Sequence, residues 1–369
     1  MATRKGFRSL ILALIALVLI NLSFGCNVAV TPPVTPPVTP SDTAVTPPVT
    51  PSGTVYKLKL GTIYNSPVTS PSFNAWGASL EKFVALVKEK TGGRVEITPY
   101  YSSVLGANDE MLQQLRRGEL DAFYGQPMST VDPRFGVFSV PYLFADYAAV
   151  EKLVASKSAP LFKLAQTWMA DKNAYLLSSG VAVFRGFFNV KHRVATVSNV
   201  RDLKVRIYED PVVNLFWKSI CNAQVMAFSE VYTGLQTKTI DGLEFAATSV
   251  LSSKYYDLGK YYSNINWQWT WGANLVLSTK VWSQLPDDLK AILSDCAWQA
   301  MDVEKTDELA NGAKAESALI AQGVEVYHLT TAERQTWIDY ARTLDSKMRD
   351  AIGPATYDQV MKIIKDSQG

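Results

Sequence analysis

Residues 10–20 form an unbroken apolar run that no later stretch of the chain matches. Its 11 residues fall short of the roughly twenty that cross a bilayer as a helix. The run follows Arg4, Lys5 and Arg8 and precedes Ser23, Gly25 and Cys26. This order of basic, apolar and small residues predicts a secretory leader over residues 1–25. From residue 55 onward the pattern switches between two periods. Residues 55–64 open with alternating apolar and polar side chains and predict a strand. Trp76, Leu80, Phe83, Val84 and Val87 recur at helical spacing, and Thr91-Gly92-Gly93 supplies the stop. Residues 94–100 predict a second strand. Asn108, Asp109 and Glu110 open a second helix that carries Met111, Leu112 and Leu115 and ends at Gly118, and residues 120–125 predict a third strand. Strand, helix, strand, helix, strand is the start of a doubly wound α/β fold. Residues 202–210 and 266–278 each predict a further strand, and residues 287–322 read as one helix, long for a globular protein.

Between leader and body, residues 31–54 contain Thr-Pro-Pro-Val three times and eight of the chain's 18 prolines. Proline fixes φ and lacks an N–H, so residues 26–54 predict an extended tether, of which 31–54 would reach about 75 Å as a polyproline-II helix. Cys26 directly after Gly25 resembles the cleavage site of bacterial lipoproteins, where the cysteine is lipidated and becomes the new N-terminus. Ser23 and Phe24 depart from the usual leucine and small residue, and Leu22 stands one place early, so an ordinary signal peptide is the alternative.

Composition narrows the chemistry. The 369 residues suit two lobes, and 47% hydrophobic with 19% charged residues predicts a globular body. Removing residues 1–25 leaves 33 basic against 34 acidic side chains. A body so nearly neutral argues against a nucleic-acid partner. Two histidines and three cysteines offer little for a metal or a histidine-centred active site, and no cofactor motif is present. Cys221 and Cys296 either pair in an oxidising compartment or remain buried thiols.

Five stretches taken together, residues 91–125, 138–150, 200–213, 228–244 and 253–263, carry a family resemblance. The set resembles, in order, the extracytoplasmic solute-binding proteins of TRAP transporters, the C4-dicarboxylate-binding (DctP-type) family. The resemblance implies a two-lobed periplasmic-binding-protein fold of α/β class, with crossing hinge strands and a long bridging helix. Lobe I is then expected at 55–182 plus 271–310, and lobe II at 183–270 plus 311–369. It implies no catalysis: a small organic acid binds between the lobes and is delivered to the membrane permease subunits, with the protein held at the membrane through its N-terminal lipid. Two other readings stand beside this one. The chain could report its ligand to a receptor, or it could be an exported enzyme, with Glu209 and Glu244 as the acids to consider.

A carboxylate that leaves water needs a partner, and a guanidinium supplies two parallel N–H donors without losing its charge. The family's K-x-R strand motif reads Lys204-Val205-Arg206 here, which implies Arg206 as the anchor. Arg185 occupies the place of a second family arginine. Tyr208 points the same way as Arg206 if the strand is regular. Many relatives carry Asn after the Asp-Gly-x-Glu motif, whereas this chain has Phe245. Trp267, Trp269 and Trp271 share one strand face. Trp267 and Trp269 are expected in the core, while Trp271 and Asn274 are expected near the cleft. Tyr64, Tyr124 and Gln126 lie at strand ends, where open α/β sheets bind ligands. The aromatic residues at 208, 245 and 271 suggest an acid with an apolar or aromatic part.

Overall fold

A computed structural model describes residues 53–127 and 129–367. The leader, Cys26 and the tether up to residue 52 lie outside the described residues. Alternation makes the first strand: in β1 (Tyr56–Thr62) Leu58 and Leu60 are buried while Lys57 and Lys59 point out. β1 pairs in parallel with β2 (Val95–Tyr100) and β3 (Ala122–Gly125). The helix Ala75–Lys90 makes the first crossover and buries Leu80, Phe83 and Val87. Its N-terminus is capped by Asn74, which accepts from the Gly77 N–H at 3.0 Å. The next crossover, Asn108–Arg117, ends at Gly118, whose φ of 71° glycine adopts without strain.

The remaining strands are β4 (Ala174–Ser179), β5 (Val183–Asn189), β6 (Lys204–Ile207), β7 (Asn222–Val225), β8 (Gly242–Phe245), β9 (Tyr261–Thr270), β10 (Asn274–Ser278) and β11 (Glu325–His328). They form two sheets, ordered β2-β1-β3-β10-β4 and β11-β9-β5-β8-β6-β7. The chain passes between them at 180–182 and back at 271–273. These crossings lie side by side, with the Gly180 N–H donating to the Ala273 carbonyl at 2.7 Å. The single strand expected over 266–278 is therefore two strands in different sheets. The break falls at Trp271-Gly272-Ala273, where Asn274 Nδ2 donates to the Trp271 carbonyl at 2.8 Å. Gly272 is required there because a Cβ would meet the Tyr64 hydroxyl at 2.8 Å.

The long helix Asp287–Ala321 contacts β4 and the helix Ala75–Lys90 on one side, and β11 and the helix Ala247–Ser252 on the other, so it bridges both sheets. The terminal helices Asp345–Ile352 and Pro354–Asp366 pack on the 3-10 turn Pro133–Ser139. The tryptophans at 267, 269 and 271 belong to the core. Trp267 stacks on Phe216 with ring centres 5.1 Å apart, Trp269 meets Phe144 edge-on at 5.1 Å, and Trp271 lies 4.2 Å from Phe138. Cys221 and Cys296 are free thiols. Among the described residues no helix is long and apolar enough to cross a membrane, and no cluster of His, Cys, Asp and Glu could hold a metal ion.

Candidate functional site

Several loops and strand ends converge on one cavity between the sheets. From the first sheet come Tyr64 and Asn65 after β1, Asn108 at its helix start and Gln126 after β3. From the second come Arg185 on β5, Arg206 on β6, Tyr208 just beyond it, Phe245 at the end of β8 and Thr270 at the end of β9. The space open to water centres is about 90 Å³, enough for several waters or a small organic acid.

Arg185 and Arg206 are the charged residues of this wall, and they differ in kind. Arg185 is already paired. Its Nη1 donates to Glu244 Oε2 at 2.6 Å and to the Glu244 carbonyl at 3.1 Å, and its Nε donates to Thr270 Oγ1. The rings of Tyr208 and Phe245 lie 5.1 and 5.7 Å from its guanidinium carbon, a cation–π setting. Burial opposes its charge, but Glu244 outweighs this and holds the guanidinium above its ordinary range. Arg206 is 4% exposed, and its Nε donates to the Met226 carbonyl at 3.0 Å. It forms no salt bridge among the described residues, and its terminal nitrogens donate to no protein acceptor there. Burial pulls its pKa below the ordinary value, the nearby Glu244 carboxylate offsets this only in part, and Arg185 beside it adds to the fall. Glu244 lies on β8, the strand between those of the two arginines, and among the described residues its salt bridge is with Arg185 and not Arg206.

Local sequence explains how β8 reaches this position. Asp241 accepts from the Lys204 N–H at 2.8 Å, fixing β8 beside β6. Gly242 lies against β5, and a Cβ there would meet the Phe188 carbonyl oxygen at 2.5 Å. The Asp-Gly-x-Glu motif thus sets a strand register and delivers Glu244 to Arg185.

Six of the residues expected at the site meet at the cavity: Arg206, Arg185, Tyr208, Phe245, Tyr64 and Gln126. Three do not line it. Trp271 is turned into the aromatic core, with its indole N–H on Ser179 Oγ at 2.7 Å. Asn274 uses its amide to hold the Gly125 and Trp271 carbonyls. Tyr124 is buried behind Tyr64, its hydroxyl 2.8 Å from that of Ser79. Trp271 and Asn274 sit one layer away because they form hydrogen bonds at the crossing of 271–273. Of the acids considered for catalysis, Glu244 is fully enclosed in its ion pair. Glu209 is exposed, bonds Asn214 and does not line the cavity.

Sequence reasoning did not name Asn65, Ser249, Ser252, Ser253 or Phe228 as site residues, and they line the wall. It also missed two buried carboxylates on the bridging helix. Glu304 accepts from the Val181 and Ala182 N–H groups, each at 2.9 Å, and so clasps the first crossing. Gly180 makes room for it, since a Cβ there would collide with Glu304 Oε2. Glu308, one turn on, accepts from Thr248 at 3.2 Å. Burial pushes Glu304 up to about 7 and Glu308 up to about 8.

The model of the DctP family, bacterial extracellular solute-binding protein family 7, matches residues 66–350. A solute-binding protein of Chromohalobacter salexigens is 36% identical over 190 residues, 51% of this chain and 56% of that relative. The C4-dicarboxylate-binding periplasmic protein DctP of Rhodobacter capsulatus is 27% identical over 291 residues, covering 76% of this chain and 84% of its own. In fold, the chain is similar to the sugar acid binding protein DctPAm of Advenella mimigardefordensis, solved in complex with galactonate. The TM-score is 0.77 at 21% identity, covering 85% of this chain and 99% of that one. The two sheets, their paired crossings and the helix that bridges them are therefore those of a known architecture, and the chain belongs to the bacterial extracellular solute-binding proteins of family 7.

Proposed function

We propose that this solute-binding protein captures a small organic acid by seating its carboxylate on Arg206, without converting it. The observation that carries this reading is the buried guanidinium of Arg206, whose terminal nitrogens have no protein acceptor among the described residues. An isolated buried cation costs several kcal/mol, and an incoming carboxylate offsets that cost with two charge-assisted hydrogen bonds. Arg185, braced by Glu244, Tyr208 and Phe245, lends a remaining N–H edge and positive potential. Delivery of the captured acid to a TRAP-type membrane permease is the role of the family.

Closure is read as a hinge motion at 180–182 and 271–273, which divides the body into 55–182 with 271–310 and 183–270 with 311–369. A bound acid should lower the radius of gyration in small-angle X-ray scattering, and an unchanged radius would contradict closure. The experiment for the ligand is thermal unfolding against mono- and dicarboxylates, keto acids, sugar acids and aromatic acids. An acid at 100 times its Kd should add about 2.7 kcal/mol of stability. Failure of every acid class would remove the reading.

The N-terminus is read as a lipidated Cys26 followed by the proline-rich tether, which places the body at the outer face of a membrane. Cys26→Ala should move the protein from the membrane fraction to the soluble fraction of the host. Unchanged partition would refute the lipid anchor.

A further inference from the structure

We propose that the site selects singly charged acids and discriminates against dicarboxylates, an inference that rests on Arg206 as the carboxylate anchor. The cavity wall carries two guanidinium groups, those of Arg185 and Arg206, and one carboxylate that does not line the cavity bonds the first of them. Glu244 is enclosed and takes up the charge of Arg185 through a 2.6 Å bond. One positive charge, that of Arg206, is then left for the ligand.

A first carboxylate neutralises Arg206 and leaves no cation on the wall without a partner among the described residues. A second carboxylate on the same ligand would face neutral groups. Asn65, Gln126 and Ser249 can meet a hydroxyl or carbonyl, but they bring no charge. The charges behind the wall make matters worse for a dianion. Asp210 lies behind Tyr208, its Oδ2 accepting from Ser129 at 2.7 Å and from Ser139 at 3.1 Å. Glu304 lies behind Trp76, whose indole donates to it at 3.3 Å. Burial holds both carboxyls above their ordinary range, and each adds negative potential when ionised. Arg185 keeps its Nη1 on Glu244, so its remaining N–H edge can donate to the ligand but brings a charge that Glu244 already balances. Glu244 is thus a specificity residue that acts through Arg185.

Isothermal titration of the full chain with acids matched in skeleton tests this. Suitable pairs are galactonate with galactarate, butyrate with succinate, and phenylacetate with 1,4-phenylenediacetate. We expect a monocarboxylate to bind and its dicarboxylate partner to bind roughly 30-fold more weakly or worse. Glu244→Gln keeps the side chain's shape and frees the charge of Arg185. In that variant the ratio should move at least about tenfold toward the dicarboxylate. A dicarboxylate that binds the wild type as tightly as its partner overturns the selection and leaves Arg206 as anchor. A folded Glu244→Gln protein with an unchanged ratio overturns the assignment to Glu244. If that variant does not fold, the wild-type ratio alone decides. Binding of no member of any pair would instead contradict the carboxylate site on which the inference rests.

Discussion

Arg206→Ala should weaken binding of the cognate acid by roughly 10²- to 10³-fold, the usual effect of removing one member of a buried, hydrogen-bonded charge pair. The free protein should not suffer in proportion. The guanidinium is 4% exposed and bonds only the Met226 carbonyl among the described residues, so its removal takes away a buried charge that has no directly bonded counter-ion until ligand arrives. The ligand-free variant should therefore melt close to the wild type or above it. Arg206→Lys keeps the charge and loses the planar fork, so it should bind between the two, roughly tenfold or more below the wild type. Titration calorimetry and thermal unfolding on all three proteins check this. An Arg206→Ala protein that still binds within about threefold of the wild type would remove Arg206 from the site.

Glu308→Gln should stabilise the protein at alkaline pH and change little in acid. Glu308 is 5% exposed, Glu304 is fully buried one turn before it, and neither forms a salt bridge among the described residues. Burial raises Glu308 from the ordinary 4.5 to about 8, with Glu304 adding repulsion. Glu304 itself is raised to about 7. In the unfolded chain both release their protons near pH 4.5, whereas the folded protein holds them longer. The folded state binds more protons across that window, so stability present below about pH 4.5 is lost as pH rises through 7 to 8. A glutamine at 308 cannot ionise and escapes its share of the loss. The gain at pH 8.5 should be on the order of 2–4 kcal/mol, or roughly 5–10 °C in Tm, against almost none at pH 4. Melting curves of both proteins from pH 4 to pH 9 decide it. Parallel profiles would show that Glu308 is not the group that titrates.

Much of this architecture was legible because short-range pattern and tertiary structure agree. Alternation in residues 56–60, the apolar stripe from Trp76 to Val87 and the glycines at 92, 93 and 118 each specify an element that the fold keeps. Two chemical features lay beyond such patterns. The first is the break at Trp271-Gly272-Ala273. Residues 266–278 read as one strand because both halves have strand composition, and only pairing partners far away in sequence divide them between sheets. The second is the pair Glu304 and Glu308. In a helix rich in acids and lysines they look solvated. Their spacing gives the signal, since Glu304 falls three residues after Met301 and Glu308 seven before Ala315, both on the buried stripe.

The site divides in the same way. The family resemblance singled out Arg206 through the Lys204-Val205-Arg206 motif, and in the fold Arg206 lines the cavity. Nothing in the sequence near Arg185 discloses that Glu244, some sixty residues on, neutralises it. On the proposed reading, that pairing leaves Arg206 for the ligand. Tyr208 and Phe245 were read as contacts for an apolar ligand, and their rings also flank Arg185. Trp271 and Asn274 are close to the crossing in sequence, but the crossing uses them for its own hydrogen bonds.

The most direct test is a crystal structure of the protein with the tightest-binding acid from the thermal panel. The carboxylate should lie within hydrogen-bond distance of both terminal nitrogens of Arg206, with Glu244 still bonded to Arg185. A carboxylate seated elsewhere, with Arg206 unoccupied or paired to a protein acid, would contradict the assignment of Arg206 as the residue that captures the ligand.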